Sequence, residues 1–212
     1  MKVGVIGSGT VGQTLARGLR ARGHEVVLGT RDTAKLAEWG AGAGAGVRLA
    51  SVTEAAAHGE VVFLATKWEG TEAAVRSAGA AALAGKVLVD VTNPLKMGAH
   101  GPELAVGFST SAGEMVQQWA PQARVVKAFN TVTAAMMIDA TLLGDTPTMF
   151  IAGNDATAKG AVTAILHGFG WSDVVDLGAI EQARLLEPLA MVWIKYYIDT
   201  KSWRHAVKMV RG

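Results

Sequence analysis

The arrangement that most limits how this chain can fold lies in its first twenty residues. A short apolar run, Val3 to Ile6, enters the six residues GSGTVG, Gly7 to Gly12, and a segment follows with Val11, Leu15, Ala16 and Leu19 at helical spacing. Strand, glycine-rich turn and helix in that order open a dinucleotide-binding βαβ unit. Each glycine has its own task there. Gly7 permits the tight turn, Gly9 lets the backbone approach a pyrophosphate and Gly12 allows the helix to pack closely on the strand, while the free amides of the helix N-terminus attract the anion. In a chain with 26 glycines the spacing alone is weak. Its place between a strand and a helix separates it from an ordinary glycine-rich turn.

The next strand-like run, Glu25 to Leu28, ends in Gly29-Thr30-Arg31. A site for NAD places a carboxylate at such a tip to accept from the ribose 2′-hydroxyl, whereas a site for NADP supplies a cation for the 2′-phosphate. Thr30 can hydrogen-bond a phosphate, Arg31 offers a planar fork of donors that suits one, and Lys35 adds a second cation one turn on. Asp32 points the other way, with capping of the following segment as its competing account. The tip therefore reads as NADP, with a helix from Asp32 to Trp39 behind it.

Half of the 212 residues are hydrophobic and 18% are charged, as suits parallel strands buried on both faces. The length fits one main domain and a small appendage. A net charge of +2 without a long basic run gives no footprint for nucleic acid. The absence of cysteine excludes disulfides, thiolate metal sites and cysteine nucleophiles. Met1-Lys2 leads straight into the first strand without room for a signal peptide, and no apolar run approaches the roughly 20 residues of a membrane span. A soluble, cytoplasmic protein with no membrane partner is expected.

Strand-helix alternation continues along the chain. Strands are expected at Val47–Leu49, Val61–Thr66, Val87–Val91, Arg124–Phe129, Met149–Ala152 and Val174–Asp176, and helices at Thr53–Ala57, Ser111–Trp119, Asp155–Phe169 and Ile180–Tyr197. Gly40 to Gly46 follows a helix and lacks the sixth-position glycine, so it reads as a loop rather than a second nucleotide motif. Pro188 predicts a kink or break in the last helix. The fold class is α/β, a Rossmann-type doubly wound, mainly parallel sheet over residues 1–178 with a small C-terminal helical cap or interface segment over residues 179–212. Ligands of such sheets bind at the strands' carboxyl ends. Here those ends carry Lys67-Trp68-Glu69, Thr92-Asn93-Pro94 and Asn130-Thr131.

Several residues carry two readings. Lys127 within an apolar strand could be a base if its pKa fell, but snorkelling to the strand edge is the plainer account. Asn93 and Asn130 could orient a nicotinamide or substrate amide, or could form turns. Of the six tryptophans, Trp68 alone lies beside a strand end where a ring could stack on a cofactor. Arg184 and Glu187, three apart, read as an intrahelical pair. The five histidines show no metal-ligand spacing, so no metal is expected.

GSGTVG, the basic Gly29-Thr30-Arg31 tip, Trp68-Glu69, Lys127-Ala128-Phe129-Asn130-Thr131 and Ala183-Arg184-Leu185-Leu186-Glu187 together resemble the coenzyme F420-dependent NADP oxidoreductases. The stretch beginning at Lys127 also resembles the reductase domain of the STEAP metalloreductases. Where the archaeal F420-dependent enzymes have a proline before the tryptophan, this chain has Lys67. The resemblance implies hydride exchange between NADPH and coenzyme F420, or a related flavin such as FMN, by a homodimer. It implies that Ser8, Thr10 and Val11 line the pyrophosphate, that Thr30, Arg31 and Lys35 hold the 2′-phosphate, and that Ala65, Thr66 and Ala128 flank the nicotinamide, with Lys67, Trp68 and Asn93 close by. Hydride transfer between stacked rings depends on alignment more than on a proton shuttle, so no catalytic acid or base is expected. The basic residues Lys195, Lys201, Arg204, Lys208 and Arg211 could receive an acidic cofactor tail or form a solvated face. Two other functions fit the same donor site. One is reduction of a small imine or carbonyl, although such relatives carry a longer helical domain than the 34 residues after Gly178. The other is a non-catalytic NADPH-sensing module.

Overall fold

The computed structural model describes the whole chain, Met1–Gly212. Its first half runs β1 (Lys2–Ile6), α1 (Thr10–Ala21), β2 (Glu25–Gly29), α2 (Ala37–Ala41), β3 (Arg48–Ala50), α3 (Val52–His58), β4 (Val61–Leu64), α4 (Thr71–Ala78), α5 (Ala80–Leu83) and β5 (Val87–Asp90). The second half runs β6 (Leu95–Gly98), β7 (Gly101–Leu104), α6 (Ala112–Trp119), β8 (Arg124–Lys127), α7 (Ala134–Met137), β9 (Thr148–Gly153), α8 (Ala156–Gly168), β10 (Asp173–Asp176) and α9 (Ala183–Thr200).

Eight strands form one sheet in the order β10-β9-β8-β5-β4-β1-β2-β3. From β3 to β8 all neighbours are parallel; β9 runs antiparallel to β8, and β10 parallel to β9. The strand order reverses between β1 and β4, so the chain leaves the sheet in opposite directions there. That divergence opens a crevice at the strands' carboxyl ends.

Alternating residues account for the two covered faces. Val3, Val5, Phe63, Val89 and Val126 join a cluster with Leu15 and Leu19 of α1. Their neighbours Ile6, Val62, Leu64, Leu88 and Val125 point the other way, into a cluster with Val75 of α4 and Val116 of α6. A third, smaller cluster sets Leu186 of α9 against Phe150 and Ala152 of β9. The C-terminal helix is thereby tied to the antiparallel end of the sheet.

Three departures from the sequence reading have local causes. The segment after Asp32 is a 3-10 turn, Ala34–Leu36, followed by α2, because Asp32 bonds to the amides of Ala34 and Lys35 and tightens the start. A two-stranded antiparallel hairpin, β6 with β7, occupies residues to which the sequence assigned no element; each strand is four residues long and interrupted by glycine or proline, too short for alternation to mark it. The last helix begins at Ala183 after a 3-10 turn at Ile180–Gln182, and α9 is one continuous helix through Pro188. Proline forfeits one bond, to the Arg184 carbonyl, in the second turn of α9, and its ring faces solvent. Beyond α9 the tail is not a helical face. Its Val207 carbonyl accepts from Thr148 on β9, and Lys208 and Arg211 pair with Asp145 and Asp173.

Candidate functional site

The loop between β1 and α1 is built as its glycines require. Gly7 has φ +121°, and a Cβ there would lie 2.3 Å from the Ala65 carbonyl oxygen at the tip of β4. A Cβ on Gly12 would sit 1.8 Å from the Gly7 carbonyl oxygen. Gly9 differs: a Cβ would meet nothing within 4 Å. Its lack of a side chain leaves room on the outside of the loop, and as N-cap of α1 it adds no side-chain hydrogen bond to the helix amides. The Gln13 side chain donates through Nε2 to the Ser8 carbonyl at 2.8 Å and holds the loop in shape.

The tip of β2 lies beside this loop. Thr30 Oγ1 donates to Ser8 Oγ at 3.1 Å, joining the two strand ends. A cavity of about 540 Å³ is lined by Ser8, Thr30, Arg31, Asp32, Lys35 and Leu36. Asp32 is engaged locally. Its carboxylate accepts from the Ala34 and Lys35 amides and lies 3.7 Å from Lys35 Nζ, which is the capping role weighed for it.

At the tip of β4, the Ala65 amide donates to the Ile6 carbonyl at 2.8 Å, and Thr66 Oγ1 lies 2.9 Å from Thr71 Oγ1. Lys67 is exposed, at the start of a 3-10 turn over Trp68–Gly70. The Trp68 ring packs on Trp119 of α6, centroids 5.6 Å apart and planes at 30°. Ala128 is fully buried, and its amide donates to the Asp90 carbonyl.

The ends of β5 and β8 hold a group that the sequence reading did not assemble. Lys127 has no exposed surface and does not snorkel. Its ammonium contacts Asp90 Oδ2 at 2.9 Å and Glu187 Oε1 at 3.0 Å, and donates to the Thr92 carbonyl at 2.6 Å. Asp90 Oδ1 accepts from the Thr92 amide and hydroxyl, and Glu187 accepts from the Ala112 and Gly113 amides that open α6. Burial lowers the Lys127 pKa, but the two carboxylates outweigh it and hold the pKa above the ordinary lysine value. With three partners around its ammonium, Lys127 is a charged strut between β5, β8 and α9.

Glu187 is thus not the partner of Arg184. Arg184 instead makes a two-pronged ion pair with Glu114, one prong at 2.8 Å, and holds that carboxyl below the usual range with help from Ser111. Helical spacing suggested the intrahelical pair, but Glu187 turns into the sheet while Arg184 reaches sideways to α6. The one available signal was an Asp and a Lys closing adjacent apolar strands, each too costly to bury alone.

Above this cluster Asn93 and Asn130 pair. Asn93 Nδ2 donates to the Asn130 carbonyl at 2.8 Å, and Asn130 Nδ2 donates to Asn93 Oδ1 at 3.0 Å and to the Leu186 carbonyl at 2.9 Å. The preceding residue, Phe129, takes φ +65° while fully buried, a conformation uncommon for a bulky side chain. Phe63 and Phe169 hold its ring, with centroids at 5.8 and 6.3 Å.

Comparison with known proteins agrees with the geometry. Residues 2–94 match the family described as coenzyme F420-dependent NADP oxidoreductase. A crystal structure from Arthrobacter sp. FB24, provisionally assigned as an F420-dependent NADP reductase, superposes with a TM-score of 0.94 at 41% identity, each chain covered in full. The chain belongs to the F420-dependent NADP oxidoreductase family.

Within that family, the F420-dependent NADP reductase of Methanocaldococcus jannaschii is 27% identical over 217 residues, covering 95% of either chain. Metalloreductase STEAP3 of Rattus norvegicus is 31% identical over 193 residues, and the match covers 90% of this chain but 36% of the rat protein. Imine reductases share the fold: that of Streptomyces aurantiacus gives a TM-score of 0.66 at 22% identity, with 63% of its chain covered. The chain is therefore an NADP-dependent oxidoreductase. No helix is long and apolar enough to cross a membrane, and no group of three or more His, Cys, Asp or Glu could hold a metal ion.

Proposed function

We propose that this oxidoreductase passes a hydride between NADPH and coenzyme F420 or a related flavin-type acceptor. The observation that carries the reading is the end-to-end match to a reductase named for F420, with 95% of both chains aligned. The imine reductase of Streptomyces aurantiacus, of which this chain covers 63%, is by contrast a longer chain.

The residues fit NADP. Gly7, Gly9 and Gly12 shape a loop with open space outside Gly9, and the amides from Thr10 and Val11 at the start of α1 face the pyrophosphate. Ser8, Thr30, Arg31 and Lys35 line the cavity that takes the 2′-phosphate. Ala65 and Thr66, at the tip of β4, would flank the nicotinamide, with Lys67, Trp68 and Asn93 close by. Ala128 is fully buried, so it would meet the nicotinamide only through its backbone. When bound, NADPH supplies the hydride. The protein contributes position: Lys127, buried at the end of β8, is saturated by three partners and keeps its proton. That suits a transfer needing alignment rather than acid-base exchange.

The segment 179–212 would serve as a cap or as an interface. Leu185, Val192 and Tyr196 are exposed along one side of α9, a pattern that suits a second copy of the chain in a homodimer. Light scattering at micromolar concentration tests this, a monomer being the refuting result. For the reaction, purified protein is mixed with NADPH and F420, and absorbance is followed near 420 nm. Bleaching of F420 as NADPH is consumed is the expected result. Tight NADPH binding without turnover of F420 or FMN would overturn the proposal.

A further inference from the structure

The Asn93–Asn130 pair contains one unmet demand. Both Asn130 amide protons are used, towards Asn93 Oδ1 and the Leu186 carbonyl, so its orientation is fixed: turning the amide over would set its oxygen against two acceptors. Asn130 Oδ1 is buried and receives no hydrogen bond. The residue is 5% exposed. A buried acceptor left unmet is costly, and in native proteins such an atom calls for an explanation.

Its neighbour supplies the complement. Asn93 is half-buried, and of its two amide protons one goes to the Asn130 carbonyl. The other is available. An unmet acceptor and an available donor thus stand on adjacent side chains, at the carboxyl ends of β5 and β8, next along the sheet from β4. Acceptor beside donor is the complement of a planar amide, which offers N–H beside C=O.

We propose that Asn93 and Asn130 form an amide-reading site: Asn130 Oδ1 accepts from the ligand N–H, and Asn93 donates to the ligand C=O. The oxygen is shielded in the free protein, so the half-exposed Asn93 side chain shifts as the ligand enters. This rests on the reading of the crevice as the place where NADPH meets its acceptor. Two groups there share the chemistry, the carboxamide of the nicotinamide and the imide edge of a deazaflavin or flavin ring.

Cofactor analogues test it. In the 3-acetylpyridine analogue of NADPH a methyl group replaces the carboxamide NH2, and in N3-methyl-FMN the imide N–H is gone. Affinity for 2′,5′-ADP, which carries neither amide, monitors folding and the phosphate end. If the nicotinamide is read, N93A and N130A bind NADPH about tenfold more weakly, as expected for one lost hydrogen bond, and no longer distinguish it from the acetylpyridine analogue; their affinity for 2′,5′-ADP is unchanged. If the acceptor is read, NADPH affinity holds, and discrimination between FMN and N3-methyl-FMN disappears instead. Either pattern supports the site and names its source. Undiminished discrimination of both analogues in N93A, the variant at the less buried position, would overturn it and leave the pair as a turn-forming contact. A wild-type protein that fails to bind NADPH would overturn the functional reading as well, whereas NADPH binding with unaltered discrimination overturns this inference alone.

Discussion

Lys127 of β8 and Glu187 of α9 meet at 3.0 Å with essentially no exposed surface, and this contact ties the C-terminal helix to the carboxyl edge of the sheet. Asp90 closes the group on the other side, so one ammonium serves two carboxylates. The excess negative charge is met by the Ala112 and Gly113 amides at the positive end of α6. One residue before Glu187, the Leu186 carbonyl receives Asn130. The buried charges thereby set the height at which the asparagine pair stands.

Replacing Lys127 by Met should therefore be severe. It leaves Asp90 and Glu187 buried without their cation, and breaking a buried ion pair from one side costs about 3–5 kcal/mol. Urea unfolding should show a midpoint lowered to match. A loss below about 1 kcal/mol, within the range of an exposed pair, would mean that the carboxylates find other partners and that the strut is dispensable.

Arg31 lines the cavity at the tip of β2 and is exposed. Arg31→Glu removes a phosphate partner and adds repulsion. A hydrogen bond to a charged group is worth about 1.5–3 kcal/mol, so NADPH affinity should fall at least tenfold while NADH affinity changes little. Calorimetric titration with both nucleotides measures the contrast. Equal weakening of the two would contradict a 2′-phosphate site here.

What was legible in the sequence follows from what is local. GSGTVG, the β2 tip and the apolar strand runs are contiguous, so their chemistry can be read in order; Thr30, Arg31 and Lys35, grouped in that reading, line one cavity, and Ser8, assigned there to the pyrophosphate, lines it too. The group at the other end of the crevice joins Asp90, Lys127 and Glu187, which lie far apart in the chain. Periodicity within one element could not bring them together, and it misassigned Glu187 to Arg184 and Lys127 to the strand edge. Trp68 was placed correctly beside a strand end, but its neighbour Trp119 belongs to α6, about 50 residues on. The hairpin at β6 and β7 was missed because each strand is only four residues long and is broken by glycine or proline, too short to show a period.

Gly9 and Gly12 allow fold and ligand effects to be separated. Gly9 has φ −77° and ψ −177°, open to any residue, and its Cβ would face open space. Gly9→Ala should fold with stability within about 0.5 kcal/mol of the parent yet lose NADPH affinity, because the methyl group stands where the pyrophosphate approaches. Gly12→Ala drives a Cβ against the Gly7 carbonyl and should cost about 1–3 kcal/mol as the helix is pushed away. Thermal unfolding with and without NADPH separates the two. A Gly9→Ala variant that is still stabilised by NADPH to the wild-type extent would remove the case for pyrophosphate at this loop.

Glu114 gives α6 and α9 a pH dependence with a definite sign. Arg184, then Ser111, lower its pKa in the folded protein below the ordinary carboxylate value of about 4.3. A group with a depressed folded pKa contributes stability above its unfolded pKa and loses that contribution as pH falls through the folded value. The Glu114–Arg184 contribution should therefore be constant from neutral pH down to about 5 and be lost as pH falls on through the lowered folded value. Because Arg184 is partly exposed, solvent screens the pair, and Glu114→Gln should cost on the order of 1 kcal/mol at pH 7, or about 2–4 °C in Tm. Asp173 and Asp145 also have lowered pKa values, so the parent loses stability in acid for several reasons. The difference between parent and Glu114→Gln isolates this pair: it should narrow between pH 5 and pH 3. A difference that stays constant over that interval would show that the pair contributes through packing and not through charge.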